Sequence, residues 1–324
     1  MLTVYLDQNK WIDLARAETG HPQGLAFRDT LMVLKDAVDS GRVRFPLSAA
    51  HYFETGKHPN PRKRSELATT MMRLAGPLRI SPPHQIVPWE IRRGLIKIFH
   101  LPAPDPALQM FGNGAAQAFA SHNLRYLPPK EWHEISLPSN MKDEIHSRAS
   151  REFETLLLAG ATPAGAPDAM RVVFHDMKTL TDDRFVQGQL HVAEAIRQYG
   201  RRHLDEVMLA TAVADIHDPL TRIGAEYGLT FEDIAARMTG IIDSMPSRWV
   251  EMKLRRQRQA NPEKTWEGND LNDVAALAIA VPYCDLVVTE RSWSAMLNDA
   301  KVPDRFGHRV SRSLHDLTDL LLSA

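Results

Sequence analysis

The sequence predicts an α/β protein whose parallel sheet is built from both ends of the chain, with a large, mainly α-helical insertion between them. Three observations predict it. Short apolar, β-rich runs lie at both extremities, LTVYL at 2–6 and LVVT at 286–289. Each is followed directly by a helical pattern. The long middle of the chain reads as mainly helical. At 324 residues and 44% hydrophobic, the chain can bury a substantial core without staples.

The elements follow in order. The run 2–6, with a charge immediately after it, reads as a buried strand. Asp7 to Asn9 turn the chain, and a helix runs over 11–17. Phe27, Leu31, Leu34 and Val38 form the apolar stripe of a helix that Ser40-Gly41 stops. Residues 43–47 read as a second strand. Ser48 is the N-cap of a helix running through Glu54. From Lys57 prolines are frequent, which predicts turns, extended segments and few long helices. Helices are expected at 139–158 and 184–213, with a small-residue linker at 159–167. Thr230 caps a helix over 230–243, with Asp233 completing a near capping box. A basic-faced helix covers 247–259. The end of the chain returns to α/β: a helix at 272–281, the strand 286–289, a helix at 293–300, a short strand at 308–311 and a last helix at 314–322. The expected division is 1–56 with 264–324 as the α/β core, and 57–263 as the insertion.

Composition excludes several classes. Lys and Arg total 39 against 40 Asp and Glu, so a nucleic-acid partner must be held by a local patch. The single cysteine, Cys284, excludes an intrachain disulfide and a multi-cysteine zinc site. Asp7 comes too early for a signal-peptide apolar region, and no apolar run approaches the ~20 residues of a membrane helix. A cytoplasmic protein with no membrane partner is expected. No P-loop, HExxH helix, GxSxG elbow or glycine-rich dinucleotide turn is present.

The placement of the carboxylates carries the functional reading. Asp7 follows the first strand, Glu54 lies on the helix after the second, Asp270 and Asp273 open the apolar helix, and Glu290 follows LVVT. Ligands bind beyond the carboxyl ends of strands in an open parallel sheet, which puts Asp7 and Glu290 at one edge. Asp270 and Asp273, three apart, share a helix face. Acids converging there repel one another unless a cation intervenes, and oxygen donors favour one or two Mg²⁺ or Mn²⁺ ions. Asp285 begins the strand that Glu290 ends. Five positions at roughly 3.3 Å separate them by about 16 Å, which favours Glu290.

An early LDxN, a glutamate in the second-strand helix, DVAALAIA, then VVTE before an aromatic resembles the PIN-domain nucleases, over roughly 1–56 and 264–324. The resemblance implies a PIN-like parallel sheet core and assigns Asp7, Glu54, Asp273 and Glu290 to the four acidic places. It departs from the usual pattern in having Glu at the fourth place and a far longer stretch between the second and third acids. It implies a metal-dependent endoribonuclease leaving 5′-phosphate and 3′-hydroxyl ends. Two alternatives stand beside it: a catalytically weak PIN-like module that binds RNA or protein, and a flap-type structure-specific DNA nuclease. RNA is the expected partner, with DNA as the alternative; a second copy of the chain or an antitoxin-like protein is a further partner open to it.

Around the acids, Asn9 and Asn269 are candidates to orient carboxylates or water through their amides. His51, three before Glu54, is a candidate to touch phosphate or brace Glu54. Basic groups that could bind phosphates are Lys57, Arg62, Lys63 and Arg64, and then Lys253, Arg255, Arg256 and Arg258; a further group is Arg197, Arg201 and Arg202. Trp249 and Trp266 bracket the second group, with core packing the expected role for both.

Overall fold

The computed structural model describes residues 1–133, 136–160, 168–261 and 265–323, with backbone alone at 133 and over 168–180. Among them are the strands β1 (Leu2–Leu6), β2 (Val43–Arg44), β3 (Leu78–Ile80), β4 (Phe111–Asn113), β5 (Leu286–Val288) and β6 (Arg309–Ser311). Four of these form one parallel sheet in the order β2-β1-β5-β6. The other two pair antiparallel as a separate ribbon.

The sheet is buried on both faces, which is why its central strands are continuous apolar runs. On one face, Val4, Leu6 and Val288 join Trp11, Leu14, Leu34 and Phe45 in one core cluster. On the other, Tyr5 and Val287 join Val274, Leu277, Val281 and Trp293. The register pairs Val4 with Leu286, Tyr5 with Val287 and Leu6 with Val288. Asp285 starts this pairing: its backbone N–H donates to Thr3 O at 2.9 Å, and its Oδ2 accepts from Thr3 N–H at 2.7 Å.

Three expectations are corrected. The second strand was expected over 43–47, but only Val43–Arg44 pair with β1. Beyond them the backbone leaves β1 and pairs with β3, where Leu47 N–H donates to Leu78 O and Ile80 N–H to Leu47 O. The proline-rich stretch holds two long helices, Pro61–Ala75 and Pro83–Phe99. Proline stands in the first turn of each, where its missing N–H costs nothing because that donor has no intrahelical partner. The long helix expected at 184–213 is two helices, Asp168–Tyr199 and Leu204–Ala214. Gly200 separates them at φ 91°, a value a β-carbon disfavours.

Other elements agree closely. The helix Ser139–Leu158 and the last helix, Leu314–Leu322, have the expected ends. Thr230 and Asp233 form the capping box, although the helix they start breaks into Phe231–Ala235 and Met238–Asp243. The linker expected at 159–167 lies, from 161 on, outside the described residues. No helix among the described residues is long and apolar enough to cross a membrane.

The boundary expected at residue 57 is not a packing boundary. Leu67, Met71 and Leu74 of the helix Pro61–Ala75, together with Ala115, Ala118 and Leu158, lie in the same cluster as the β1 residues Val4 and Leu6. A third apolar cluster, built around Ile91, Leu220, Ile234 and Ile241, belongs to the middle of the chain alone. Leu158 is fully buried. Leu158→Ala should therefore cost about 2–5 kcal/mol and shift the unfolding of the sheet itself. The check is denaturant unfolding followed by far-ultraviolet dichroism and by tryptophan fluorescence, with both midpoints expected to move together. A shift confined to one probe would mean that the insertion folds apart from the sheet.

Candidate functional site

Asp7, Glu54, Asp273 and Glu290 line one cleft of about 520 Å³ at the carboxyl edge of the sheet, and Asn9, Asn269, Lys57 and Lys63 line it with them. The sheet register explains the first pair. Asp7 and Thr289 each follow the end of a strand, side by side, and Asp7 N–H donates to Val288 O at 2.9 Å. Thr289 Oγ1 donates to Asp7 Oδ2 at 2.8 Å, and Gln8 N–H donates to Asp7 Oδ1 at 2.8 Å. Asp7 thus also caps the helix Gln8–Glu18. Glu290 stands one residue farther on and accepts a hydrogen bond from the Asn9 amide.

The helices Ala49–Lys57 and Gly268–Tyr283 supply the other two acids. Lys57 Nζ donates to Asn269 Oδ1 at 2.7 Å, joining these helices beside the cleft. Asp273 Oδ2 accepts from Trp293 Nε1 at 3.1 Å, and its Oδ1 has no protein donor among the described residues. Burial pushes the Asp273 carboxyl up to about 7, with help from the charges of Asp7, Glu290 and Asp270. Burial also raises Asp7, and burial together with Asp7 raises Glu290. The cleft therefore holds negative charge that the protein around it does not fully offset. Among the described residues, no three His, Cys, Asp or Glu side chains stand close enough to hold one ion. The acids share a cleft wall without being gathered to a point.

Several expected site residues lie elsewhere. Asp270 accepts from Arg258 at 2.7 Å and from Glu267 N–H at 2.8 Å, so it caps its helix and does not line the cleft. Asp285 binds the start of β1, at the opposite end of the strand from Glu290. Arg62 pairs with Glu66, and Arg64 donates to the carbonyls of His58 and Ala159. In the group expected on the helix Pro246–Gln259 each member has a partner within the protein. Arg255 pairs with Asp215 and Glu251, Arg256 with Asp205, and Arg258 with Asp270, while Lys253 sits over the Trp249 ring. Arg197 pairs with Glu194, Arg201 donates to Ala260 O, and Arg202 donates to His203. Trp266 is buried against Phe185, and Trp249 packs on Phe306 and Arg305. Helical spacing alone could not reveal the pairs of Arg255 with Asp215, Arg256 with Asp205 and Arg258 with Asp270, because those acids come from other segments.

His51 is a structural residue. It is 1% exposed; its Nε2–H donates to Leu6 O at 2.9 Å, and its Nδ1 accepts from Ser48 N–H at 2.9 Å. It locks the helix Ala49–Lys57 to the last residue of β1, one position before Asp7 and three before Glu54. The residues missed at the level of sequence are Thr289 and Trp293, both inside the VVTERSW string. A hydroxyl and an indole next to an acid were the available signals.

Compared with known proteins, the chain matches no family model, no curated protein and no solved structure.

Burial lowers the His51 imidazole to about 4, so the folded state holds it neutral while the unfolded chain titrates near 6.5. A base depressed in this way contributes stability that is complete above pH 6.5 and lost as pH falls towards 4. Between pH 7.5 and 5 the loss should be about 2 kcal/mol. Urea unfolding of wild type and His51→Leu at both pH values measures it. The wild type should lose that much more stability than the variant, and parallel losses would remove His51 as the cause.

Proposed function

We propose that the protein is a divalent-metal-dependent phosphodiester hydrolase acting on nucleic acid, most simply an endoribonuclease. One observation carries the reading: four carboxylates from four separate segments line a single cleft at the carboxyl edge of a parallel sheet. Their donor chemistry fits Mg²⁺ or Mn²⁺, which prefer carboxylate oxygens. The raised carboxyls of Asp7, Asp273 and Glu290 fit as well: burial is the main cause in each, neighbouring acids add to it at Asp273 and Glu290, and a nearby cation favours the charged form. The resemblance of the LDxN, DVAALAIA and VVTE strings to PIN-domain nucleases points the same way.

The roles of the chain's own groups follow. Asp7 and Asp273 would be the fixed ligands, because Thr289 and the Gln8 N–H hold the two oxygens of Asp7 and Trp293 holds one of Asp273. Outer hydrogen bonds of this kind orient ligands and tune their basicity. Glu54 and Glu290 are longer, and drawing the four acids together requires changes in their rotamers. A bound ion would supply positive charge against the phosphodiester and acidify water beside it. Asp273 Oδ1, without a protein donor among the described residues, would be the oxygen left to face the ion. Lys57 and Lys63 supply positive charge at the rim for the phosphate backbone. Cleavage of the P–O3′ bond would leave 5′-phosphate and 3′-hydroxyl ends.

A second reading is a non-catalytic binding module. The Asn9 amide on Glu290 favours it, because it ties up the one acid that departs from the resembled pattern.

The test is digestion of single-stranded RNA, structured RNA, single-stranded DNA and flap DNA with Mn²⁺, with a chelator control. RNA cleavage that the chelator abolishes is expected. Asp7→Asn and Asp273→Asn should each lose more than about 100-fold, and Thr289→Val about 10–100-fold. Full activity in Asp7→Asn and Asp273→Asn would refute the assignment. No cleavage by wild type would favour the binding module.

A further inference from the structure

A second cleft, of about 1140 Å³, opens at the C-terminal end of the helix Pro61–Ala75, walled by β4 and by the helix Ser139–Leu158. Its lining includes Arg73, Arg125, Arg151, His122, His146 and Tyr126. Arg125, Arg151 and both histidines are exposed, and Tyr126 is half-buried beside the His146 ring at 5.4 Å. Among the described residues, Glu154 is the one carboxylate in this lining. It is already satisfied: it accepts from Ala115 N–H at 2.8 Å and from the Tyr52 hydroxyl at 3.1 Å, and buried Arg79 lies 3.6 Å away. Arg151 has no ion-pair partner among the described residues, and Arg125 contacts only the ring of His122. The cleft is thus a cationic surface with an aromatic ring in it, the reverse of the acidic cleft.

The two clefts are joined. A shallow groove along the helix Pro61–Ala75 shares Thr19 and Glu66 with the acidic cleft, and Thr69 and Arg73 with the cationic one. Its charges are paired within the protein: Arg62 with Glu66, and Glu18 with Lys35 and Arg73. What remains along it is a neutral floor carrying the hydroxyls of Thr19, Ser65 and Thr69. From Glu66 to Arg73 the helix rises about 10 Å, the length of about three stacked nucleotides at roughly 3.4 Å each.

The geometry points to a single-stranded nucleic acid running from the acidic cleft along the Pro61–Ala75 helix into the cationic cleft, where Arg125 and Arg151 hold its phosphates and Tyr126 stacks a base. Phosphate neutralisation combined with a sequence-tolerant aromatic platform is the chemistry that single strands require. The inference rests on the proposed hydrolase and gives its substrate class: a flexible strand long enough to span both clefts. It also assigns a use to the insertion.

The test measures binding of fluorescein-labelled oligouridylate and oligothymidylate, about 4 and about 12 nucleotides long. It uses full-length protein carrying Asp7→Asn and Asp273→Asn, in Mn²⁺, so that no strand is cut. Adding Arg125→Glu and Arg151→Glu should weaken the longer strands at least tenfold. It should also reduce the slope of log affinity against log salt by about 1.4, at roughly 0.7 per lost phosphate contact on a single strand, with the shorter strands unaffected. Tyr126→Ala should weaken the longer strands at least about fivefold. Unchanged binding of the longer strands, or equal losses at both lengths, would overturn the inference. The two proposals fail separately. If wild type binds with this length and charge dependence but cuts neither polymer, the hydrolase falls and the strand path stands. If wild type cuts RNA while the Arg125→Glu and Arg151→Glu changes leave binding intact, the path falls and the hydrolase stands.

Discussion

The parallel ladder between β1 and β5 is the constraint on which the rest depends. It pairs Leu6 with Val288, residues at opposite ends of the chain, and its last bond, from Asp7 N–H to Val288 O, stands at the lip of the cleft. Everything acidic in the cleft is measured from that point. Asp7 and Glu290 leave the ends of the two paired strands, and Thr289 ties them together through its hydroxyl. Both strands are apolar on both faces, so a one-residue slip would turn Tyr5 and Val287 into the wrong cluster and is resisted from both sides.

A second tier of contacts transmits this register to the helices. His51 hangs the helix Ala49–Lys57 from the Leu6 carbonyl. Lys57 bridges to Asn269, and Trp293 reaches from its own helix to Asp273. Lys57 and Asn269 are exposed, but His51 and Trp293 are buried, and buried polar groups are costly unless satisfied, as these are by groups from other segments. The acids are thereby held near one another in spite of their repulsion. The ion-pair network Asp215–Arg255–Glu251 is the contrasting, self-neutralised case.

Much of this was legible in the sequence, and the parts that were not have specific causes. The strand runs and the positions of Asp7, Glu54, Asp273 and Glu290 follow from local pattern and from the rule that parallel sheets present ligands at their carboxyl edge. Choosing between Asp270 and Asp273 required knowing that Arg258 covers the former, a contact between residues on different helices. The basic face on 246–259 looked like a phosphate surface because its acidic partners, Asp205 and Asp215, lie some 40 to 50 residues away along the chain. The proline-rich stretch hid two helices, since Pro61 and Pro83 stand in first turns, where proline breaks nothing, and the second helix also runs on through Pro88. The cationic cleft was invisible because Arg73, Arg125 and Arg151 come from three separate segments and form no run.

The closing of the sheet by a late strand sets a timetable for the newborn chain. Asp7 and Glu54 leave the ribosome more than 230 residues before Glu290 does. At about 5–20 residues per second, roughly 10 to 50 s pass before β5 can slide in beside β1. Through that interval the edge of β1 that β5 will cover stays bare, and the acidic cleft lacks two of its four walls. A molecule built this way cannot bring its four cleft acids together until Glu290 has been made.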